Sequence, residues 1–544
     1  MSFCKKLIAN LSGLKKHPAV RKFIQHNQRV FPVNKAGGGK RPVVLFELNA
    51  MQSGHIAYSY LANVLAEEHG AEIKAYAPYP LVKFRERLMF RLRALLGINE
   101  FGVYQSFGTS EIFRISPSQK QKKRANALFE SVKDTLNSKL AIEALTINGI
   151  WMGDLIYDTY LMSLKEATIE PKAPRFLEFL RTSLELFVFW EDYFDEKDVR
   201  AVNVSHCVYN LAMPLRIAVA RGIPAFQVTV TYLYRLSQDK LFAYNEFFHY
   251  REHFAALPPP VRESGLAEAQ KRIERRFAGE VGVDMAYSTK SAYGEARHTR
   301  LLRESPRKKI LIATHCFFDS PHSYGNNIFP DFYEWLDFLG KTSEVTDYDW
   351  YIKTHPDYLP GTMEIIKSFV ERYPKFTLLP SDASHHQIIA EGIDLALTVY
   401  GTIAFEYAAL GIPVINASQN NPHIAFNFNL HAKDVEDYRR MLTGLDSLNL
   451  KIDRAEILEY YYMRYIRDTD DLFFNSFKEM IDDLGGYDAQ FSPQVYEKWL
   501  SEWSSRKHES VLSALNSFVK LADFRMGYSN RDFEEGNSCS RSLG

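Results

Sequence analysis

The stretch that decides the fold reads LALTVYGTIAFEYAALGIPV at residues 395–414, and WYIKTHP at residues 350–356 precedes it. Each segment begins with an apolar run typical of a buried strand and then turns polar. In open α/β sheets, ligands bind beyond the carboxyl ends of the strands, and a helix N-terminus attracts anions. The pattern predicts a nucleotide site, with phosphates at the Gly401 turn, ribose hydroxyls at Glu406 and His355 beside them. The alternative is an ordinary strand, turn and helix around a buried histidine.

Buried strands and helices alternate through the second half of the chain. Strands are predicted at 310–313, 350–353, 376–379 and 395–398. This alternation indicates a doubly wound parallel sheet, whose strands bring their carboxyl ends to one edge. Polar residues follow the strands, so we predict a nucleotide site formed at that edge by His315, Asp319, His322, Lys353, His355, Gly401, Thr402 and Glu406.

The first half of the chain follows a similar pattern. An apolar run at 42–48 ends in a turn that contains His55, and a helix and a strand at 72–76 come next. A further strand at 199–205 ends at His206. Strand, turn, helix and strand in this order predict a second Rossmann-like unit. The turn is not a GxGxxG sequence, so a dinucleotide site is not supported there.

The length of 544 residues is too great for one ordinary core, so we expect two domains with additional segments. The fold class is α/β, with two Rossmann-like domains, a helical insertion and a helical C-terminal region. The predicted divisions are a basic N-terminal arm (1–40), a first domain with the insertion (41–257), a connecting region (258–306), a second domain (307–430), C-terminal helices (431–524) and a disordered tail (525–544).

Candidate catalytic groups lie in the first half. Asp154 and Asp158 are four residues apart, so a helix places both on one face. A carboxylate facing a cleft can act as a general base toward a hydroxyl or as a nucleophile. His55 and His206, each predicted near a strand end, are the other candidates. A capping aspartate and a surface aspartate are the alternative interpretation of the pair.

Metal chemistry is not indicated. The second half contains several histidines, but their spacing matches no compact motif such as HExxH. The chain has four cysteines that lie far apart without CxxC spacing, which excludes a cysteine-based zinc site and fits a reducing compartment. We therefore expect no metal and a cytoplasmic location.

The distribution of charge points to a surface contact. Lys plus Arg and Asp plus Glu both total 66, yet residues 1–46 contain ten Lys or Arg residues and no acid. A second basic segment, residues 83–93, has apolar residues at helical spacing. Basic amphipathic segments are typical of membrane-surface or nucleic-acid contacts, and a solvated helix face is the alternative. We expect no nucleic acid, no spanning helix, and a peripheral position on an anionic inner membrane through residues 1–46.

The motifs together resemble those of GT-B glycosyltransferases, in which two Rossmann-like domains face each other across a cleft. Ser53-Gly54-His55 is similar to the Gly-Gly-His-type loop on the acceptor side of that superfamily. Residues 397–414 are similar to its donor-nucleotide motif, which places phosphates on the turn and a ribose-binding glutamate at the position of Glu406. The two serines or glycines that are usual in that turn are here Tyr400 and Gly401-Thr402.

His355-Pro356 resembles the His-Pro motif of bacterial surface-polysaccharide enzymes. These include capsule transferases of the KpsC and KpsS kind, bacterial sialyltransferases and glycerophosphotransferases of teichoic-acid synthesis. The resemblance implies a glycosyltransferase of capsule or lipopolysaccharide assembly, with a CMP- or UDP-linked nucleotide sugar as co-substrate and no other cofactor. It also implies a lipid-linked or oligosaccharide acceptor near His55, Asp154 and His206. The alternatives are a sugar-nucleotide epimerase of the same fold and a non-catalytic subunit of a polysaccharide assembly complex.

Overall fold

The computed structural model has two six-stranded sheets, which gives the chain the predicted α/β class with two Rossmann-like domains. Both sheets are almost wholly parallel, as the alternation of strands and helices requires. The structure describes residues 17–31, 41–78, 84–228, 230, 232–285, 288–325, 327–448, 450–467 and 472–526.

The first sheet has the strand order β3-β2-β1-β6-β7-β8, and β8 runs antiparallel to β7. Its central strand β1 is buried over its whole length, because helices cover both faces. A short hairpin of β4 and β5 lies outside the sheet. The strands are β1 Val43–Glu47, β2 Glu72–Ala77, β3 Thr109–Arg114, β4 Thr146–Ile147, β5 Ile150–Trp151, β6 Val199–Val204, β7 Ala225–Val228 and β8 Leu233–Leu236.

The helices of this domain include one that precedes the sheet and several that form the predicted insertion. They are α1 Pro18–Val30, α2 Gln52–Glu68, α3 Phe84–Leu96, α4 Glu100–Ser106, α5 Gln119–Val132, α6 Lys139–Glu143, α7 Gly153–Leu164, α8 Pro174–Glu196 and α9 Met213–Ala220. The insertion is mostly helical, as predicted, and it also contains the β4–β5 hairpin and β3, which pairs with β2 at five registered positions. The sequence of β3, Thr-Ser-Glu-Ile-Phe-Arg, neither alternates polar and apolar residues nor forms a continuous apolar run, so it carries no strong strand signal.

A connecting region links the two domains. It contains the 3₁₀ segment Ala243–His249, α10 Tyr250–Ala255 and α11 Pro259–Phe277. The second sheet has the order β11-β10-β9-β12-β13-β14 and is parallel in every described pair. Its strands are β9 Lys309–Ala313, β10 Asp349–Lys353, β11 Phe376–Leu378, β12 Leu395–Thr398, β13 Val414–Asn416 and β14 Leu430–His431, and its helices are α12 Phe332–Glu344, α13 Thr362–Arg372, α14 His385–Ala390 and α15 Ile403–Ala409.

The C-terminal helices return to the first domain. They are α16 Val435–Thr443, α17 Arg454–Tyr461 with a π-helical turn at Tyr462–Ile466, α18 Phe477–Asp483, α19 Gln494–Glu502 and α20 Ser505–Leu521. The ring of Tyr496 stacks on Phe23 of α1 with 4.3 Å between ring centroids. Both rings belong to a core that is shared with β1 and α2. The last helices are therefore part of the first domain's core, because they cover the apolar face of α1 and α2.

The ends of the chain differ in part from expectation. Arg525 lies in the tail that the sequence predicts to be disordered, but it is buried and pairs with Glu246 at 2.5 Å. Residues 527–544 lie outside the described residues, as do 1–16 and 32–40 of the basic arm. The described part of the arm is α1, whose buried face packs in the core. Among the described helices, none is long and apolar enough to cross a bilayer.

Candidate functional site

A cavity of about 440 Å³ lies at the carboxyl ends of β9, β10 and β12. Its volume is within the range of roughly 300–1,000 Å³ that is usual for small-molecule sites. The sheet edge brings together six of the eight residues predicted for the nucleotide site, because parallel strands end on the same side. They are His315, Lys353, His355, Gly401, Thr402 and Glu406.

His315 is fixed at the centre of the strand ends. Its Nε2 lies 3.0 Å from Thr398 Oγ1 and accepts a hydrogen bond from the Val399 backbone N–H at 3.2 Å. Because Nε2 accepts, the proton of the neutral ring is on Nδ1. Burial lowers the pKa of His315 to about 4, and Asp319 raises it slightly against that trend. At neutral pH, His315 is therefore an uncharged hydrogen-bond donor in the cavity wall.

Gly401 is required by close packing in this turn. A Cβ atom at this position would lie 2.8 Å from Thr398 Oγ1 and 3.5 Å from His315 Cε1. The backbone N–H of Gly401 donates to Thr398 Oγ1 at 3.0 Å. Thr402 is the residue before α15, and both residues line the cavity. The glycine leaves space that any other residue would fill.

Lys353 is the buried cation at the end of β10. Its Nζ donates to the Ser381 carbonyl at 3.0 Å and is 3.4 Å from the Thr354 carbonyl. Burial lowers the pKa of Lys353 to about 8, while Glu406 and Asp382 act in the opposite direction. A neutral carbonyl does not compensate the charge of an ammonium group. Lys353 is thus suited to an anionic ligand in the cavity.

Glu406 is bound to Arg276, a residue of α11 that no sequence pattern singles out. Arg276 Nε donates to Glu406 Oε1 at 3.0 Å, its Nη2 forms a second and shorter contact, and the Tyr293 hydroxyl donates to Oε2 at 2.8 Å. A carboxylate has about four lone-pair sites, so one acceptor position remains for a ligand hydroxyl. The pairing depends on a contact between residues 130 positions apart.

His355 and Asp357 form the outer rim of the cavity. His355 is exposed, and its Nδ1 accepts a hydrogen bond from the Asp357 backbone N–H at 3.0 Å. Although the residue is exposed overall, partial desolvation of its ring on the cavity side lowers the pKa of His355. The Asp357 carboxylate is directed to Thr289, whose N–H and hydroxyl donate to it at 2.9 and 2.5 Å. Inside this rim, the charged groups of the cavity wall are two cations, Lys353 and Arg276, and the carboxylate of Glu406.

Asp319 lies at the junction of the two domains and not in the cavity, contrary to its prediction as a nucleotide contact. Its carboxylate is exposed and accepts a hydrogen bond from the Tyr209 hydroxyl of the first domain at 2.9 Å. His206 lies close enough for Asp319 to affect its pKa, which burial lowers, and Nδ1 of His206 is buried with no partner in the described structure. His206 of the first domain therefore lies near a carboxylate of the second.

His322 is also absent from the cavity wall. It is buried, and its Nδ1 lies 2.5 Å from Asp158 Oδ1 of α7. Burial alone would lower the pKa of His322, but the adjacent Asp158 carboxylate raises it well above its usual value. Tyr157, next in α7, donates a hydrogen bond to Asp331 of the second domain at 2.5 Å. His322 and Asp158 therefore hold the two domains together.

His55 and Asp154 do not face the cleft, and the prediction that they do is wrong. Helix α2 begins at Gln52, so His55 lies inside the helix and not in the preceding turn. Its Nδ1 accepts from the Tyr496 hydroxyl at 2.5 Å, and its Nε2 donates to the Asn49 carbonyl at 3.0 Å. Asp154 is buried against Arg216, with 2.5 Å between Oδ2 and Nη2. Both polar groups are satisfied within the core of the first domain.

Within the part of the chain that the structure describes, no three His, Cys, Asp or Glu side chains lie together as a possible metal site.

The two cavity residues that sequence patterns did not identify, Arg276 and Tyr293, come from the connecting region before the second sheet. An arginine in a charged helix gives no local signal of its partner, since pairing with Glu406 is a tertiary contact.

No protein-family model and no curated protein matches the chain. Among solved structures, it is similar to UDP-GlcNAc 2-epimerase from Neisseria meningitidis bound to UDP-GlcNAc, with 10% identity over 77% of this chain and 96% of that one and a TM-score of 0.21. It is similar to a glycosyltransferase from Rickettsia africae ESF-5, with 11% identity, 86% and 100% coverage and a TM-score of 0.21. The glycotransferase of kitacinnamycin gives 12% identity, 85% and 100% coverage and a TM-score of 0.20. At these values the fold assignment rests on the two sheets themselves.

Proposed function

We propose that the protein is a glycosyltransferase that moves a sugar from a nucleotide-sugar donor to a growing bacterial surface glycan, either capsule or lipopolysaccharide. The observation that carries the proposal is the cavity at the carboxyl edge of the second sheet, with Lys353, His315 and Glu406 in its wall. A buried ammonium, a neutral N–H donor and a carboxylate with a remaining acceptor position suit phosphate and ribose. The acceptor is lipid-linked or an oligosaccharide and binds on the side of the first domain.

The donor side is assigned by charge. Lys353 contacts the phosphates, because its buried charge has only carbonyl partners. His315 Nδ1–H donates to the leaving phosphate oxygen, and Glu406 accepts a ribose hydroxyl. When the sugar leaves, the negative charge on the nucleotide phosphate increases. Preorganised cations and N–H donors stabilise that charge more in the transition state than in the ground state.

The acceptor side is assigned by position. The acceptor hydroxyl must lose a proton while its oxygen attacks the anomeric carbon and the bond to the nucleotide phosphate breaks. Asp319 is the exposed carboxylate at the domain junction, and Tyr209 and His206 lie beside it. We therefore place Asp319 as the general base, with Tyr209 as its positioning residue. Asp319 takes this role in place of Asp154, which the sequence predicts as a candidate but which is paired with Arg216.

A nucleotide-binding experiment tests the donor site. The protein is titrated with CMP, CDP, UDP, GDP and their sugars while its thermal midpoint is measured, because a ligand that binds only the folded state raises the midpoint. Lys353→Met should remove the shift. Lys375→Met is the matched control, since the Lys375 ammonium also donates to two carbonyls, those of Ser343 and Thr346, but lies outside the cavity wall. Equal shifts in both variants would contradict the assignment.

An epimerase of the same fold would bind the same donor. The two activities separate when the protein is incubated with a bound nucleotide sugar without acceptor, because only an epimerase converts the sugar under that condition. A non-catalytic subunit is excluded if alanine at His355 or Glu406 abolishes the surface polysaccharide in cells. Unchanged polymer with both substitutions would favour the subunit.

We also propose that the protein docks on an anionic inner membrane from the cytoplasmic side. Helix α3 supports this, because Leu88, Leu92 and Leu95 lie one turn apart and are exposed, Leu95 by 82%. Arg87 and Arg91 of the same helix lie near Arg114 of β3. Burial lowers the pKa of Arg114 most, and the charges of Arg87 and Arg91 lower it further. Exposed leucines beside clustered arginines are typical of a helix that lies in an anionic lipid surface.

Flotation with vesicles tests the docking. Binding to phosphatidylglycerol vesicles is expected, and it should weaken with salt because the charges are exposed. The double substitution Leu92→Ser and Leu95→Ser should release the protein, whereas Leu140→Ser, at a leucine 64% exposed elsewhere in the domain, should not. Deletion of residues 1–16, which leaves α1 in place, measures the contribution of the basic residues before that helix. Equal flotation of all variants would refute the proposal.

A further inference from the structure

His385 is a buried histidine at the first position of α14, and it lines the cavity at the carboxyl edge of the second sheet. Its backbone N–H donates to the Ala292 carbonyl at 3.0 Å. Its ring lies against the rings of Tyr293 and Tyr407, at 5.6 and 5.3 Å between centroids. The hydroxyl of Tyr293 in turn donates to Glu406 of the same cavity wall. The backbone and the ring of His385 are therefore both held in place in this wall.

The tautomer of His385 follows from its contact with Tyr407. Nδ1 of His385 lies 2.8 Å from the hydroxyl of Tyr407, which is fully buried and has no other hydrogen-bond partner among the described residues. A buried hydroxyl without an acceptor is costly, so Tyr407 donates its proton to Nδ1. Burial lowers the pKa of His385 well below its usual value, and the charge of Lys353 lowers it further. The ring is thus neutral at pH 7, and its single proton is on Nε2.

Nε2 of His385 is an unused hydrogen-bond donor. It has no partner in the part of the chain that the structure describes. The described polar atoms that are both fully enclosed and unpartnered do not include Nε2, so this atom keeps accessible surface. The space that His385 lines is the cavity. Buried polar groups are normally bonded, so an N–H group held in a cavity wall without an internal acceptor is suited to an acceptor atom of a ligand.

The surroundings of His385 indicate which ligand atom this donor meets. After burial, the charge of Lys353 is the largest cause of the low pKa of His385, so the two groups are near neighbours. The ammonium of Lys353 lies in the same cavity wall and donates to carbonyls, those of Ser381 and Thr354. An anionic acceptor placed between an ammonium and an N–H group receives charge-assisted hydrogen bonds from both. A phosphate oxygen therefore suits this part of the wall.

We infer that His385 is a further donor-binding residue, whose Nε2–H donates to a phosphate oxygen of the nucleotide next to Lys353. The inference deepens the proposed transferase function and rests on it. His385 adds to the phosphate contact a donor that carries no charge of its own. Its direction is fixed before the ligand arrives, because both the backbone and Nδ1 are already bonded.

Nucleotide binding by variants of the full-length protein tests the inference. Calorimetry measures the affinity for CMP, CDP, UDP and GDP. His385→Phe should weaken the nucleotides that bind the wild type by about tenfold to a hundredfold, the usual loss for a hydrogen bond to a charged group. His508→Phe is the matched control and should leave the affinity unchanged. Its Nδ1 also lies near a tyrosine hydroxyl, that of Tyr60 at 3.0 Å, but outside the cavity wall.

Two further substitutions at position 385 separate a ligand contact from a structural role. His385→Gln keeps a side-chain N–H near the position of Nε2, whereas His385→Asn keeps a polar atom near that of Nδ1. A ligand contact predicts that the glutamine variant retains part of the nucleotide affinity and that the asparagine variant loses it. A structural role predicts the reverse order, because only asparagine preserves the bond to Tyr407. The reverse order, or wild-type affinity in His385→Phe, overturns the inference.

Nucleosides locate the contact. Saturation-transfer NMR compares the binding of cytidine, uridine and guanosine to the wild type and to His385→Phe. The two proteins should behave alike, because nucleosides have no phosphate; a loss in the variant equal to that of the nucleotides would place Nε2 on the base or the ribose and overturn the phosphate contact. If the wild type binds nucleotide and the variants do too, only this inference fails. If the wild type binds nucleotide but transfers no sugar, the transferase proposal fails and the contact stands, and a wild type that binds no nucleotide overturns both.

Discussion

The buried pair of Asp154 and Arg216 offers a direct test of the structure against the sequence-based expectation. Both side chains are about 1% exposed, and the guanidinium also donates to the Trp151 carbonyl at 3.1 Å. It lies over the rings of Trp151 and Phe242 at 4.8 and 5.2 Å. Among the described residues, the Asp154 carboxylate is the one ion-pair partner of Arg216.

Asp154→Ala should therefore lower the free energy of unfolding of the first domain by about 3–5 kcal/mol, the usual loss when one member of a buried ion pair is removed. For a domain of this size that corresponds to a fall of roughly 6–20 °C in the thermal midpoint. The loss arises because the guanidinium remains buried without its counter-charge. The double variant Asp154→Leu with Arg216→Met should recover most of the stability, since an apolar pair can replace a buried ion pair at little net loss.

Differential scanning calorimetry on the wild type, the two single variants and the double variant measures the coupling between the residues. Donor-nucleotide binding, measured well below the midpoint of the weakest variant, should be unchanged in all four proteins. The opposite pattern would refute the structural role. If Asp154→Ala keeps the wild-type midpoint and loses transferase activity, Asp154 is a catalytic carboxylate and the placement of α7 is wrong.

The donor cavity and the core give three more predictions. Burial lowers the pKa of Lys353 to about 8, so the ammonium loses its charge as the pH rises through that value. Nucleotide affinity measured by calorimetry should therefore fall above pH 8. An affinity that stays constant to pH 10 would contradict the contact between Lys353 and phosphate. Gly401→Ala places a Cβ atom 2.8 Å from Thr398 Oγ1, so the turn must shift. Nucleotide affinity should drop by about tenfold or more while the thermal midpoint changes little. An unaltered affinity would show that the ligand does not approach the turn. Phe23→Ala removes a fully buried ring that stacks on Tyr496 and should destabilise the first domain by about 3–5 kcal/mol. The control Lys22→Ala breaks an exposed ion pair on the same helix and should change the stability by less than about 1 kcal/mol. Equal effects of the two variants on the thermal midpoint would mean that α1 does not pack in the core.

Local sequence was sufficient for most elements of the second domain. The strand predicted at 395–398 is β12 with the same limits, and the one at 350–353 is β10 extended by Asp349. Apolar runs bounded by turn residues identify buried strands, and parallel strands place the residues that follow them at one edge. For this reason six of the eight predicted nucleotide contacts meet in one cavity. The turn at Gly401 was recognised by the same reasoning.

The sequence by itself determined the α/β class, the two Rossmann-like units and the edge of the second sheet where the cavity lies, because these follow from periodicity within short segments. Only the tertiary structure decided which polar groups are free. Asp154 and His322 looked like site residues, yet partners 62 and 164 positions away bind them. The pattern of one segment carries no information about such partners, because the pairing of buried charges depends on which helices and loops the completed fold brings into contact.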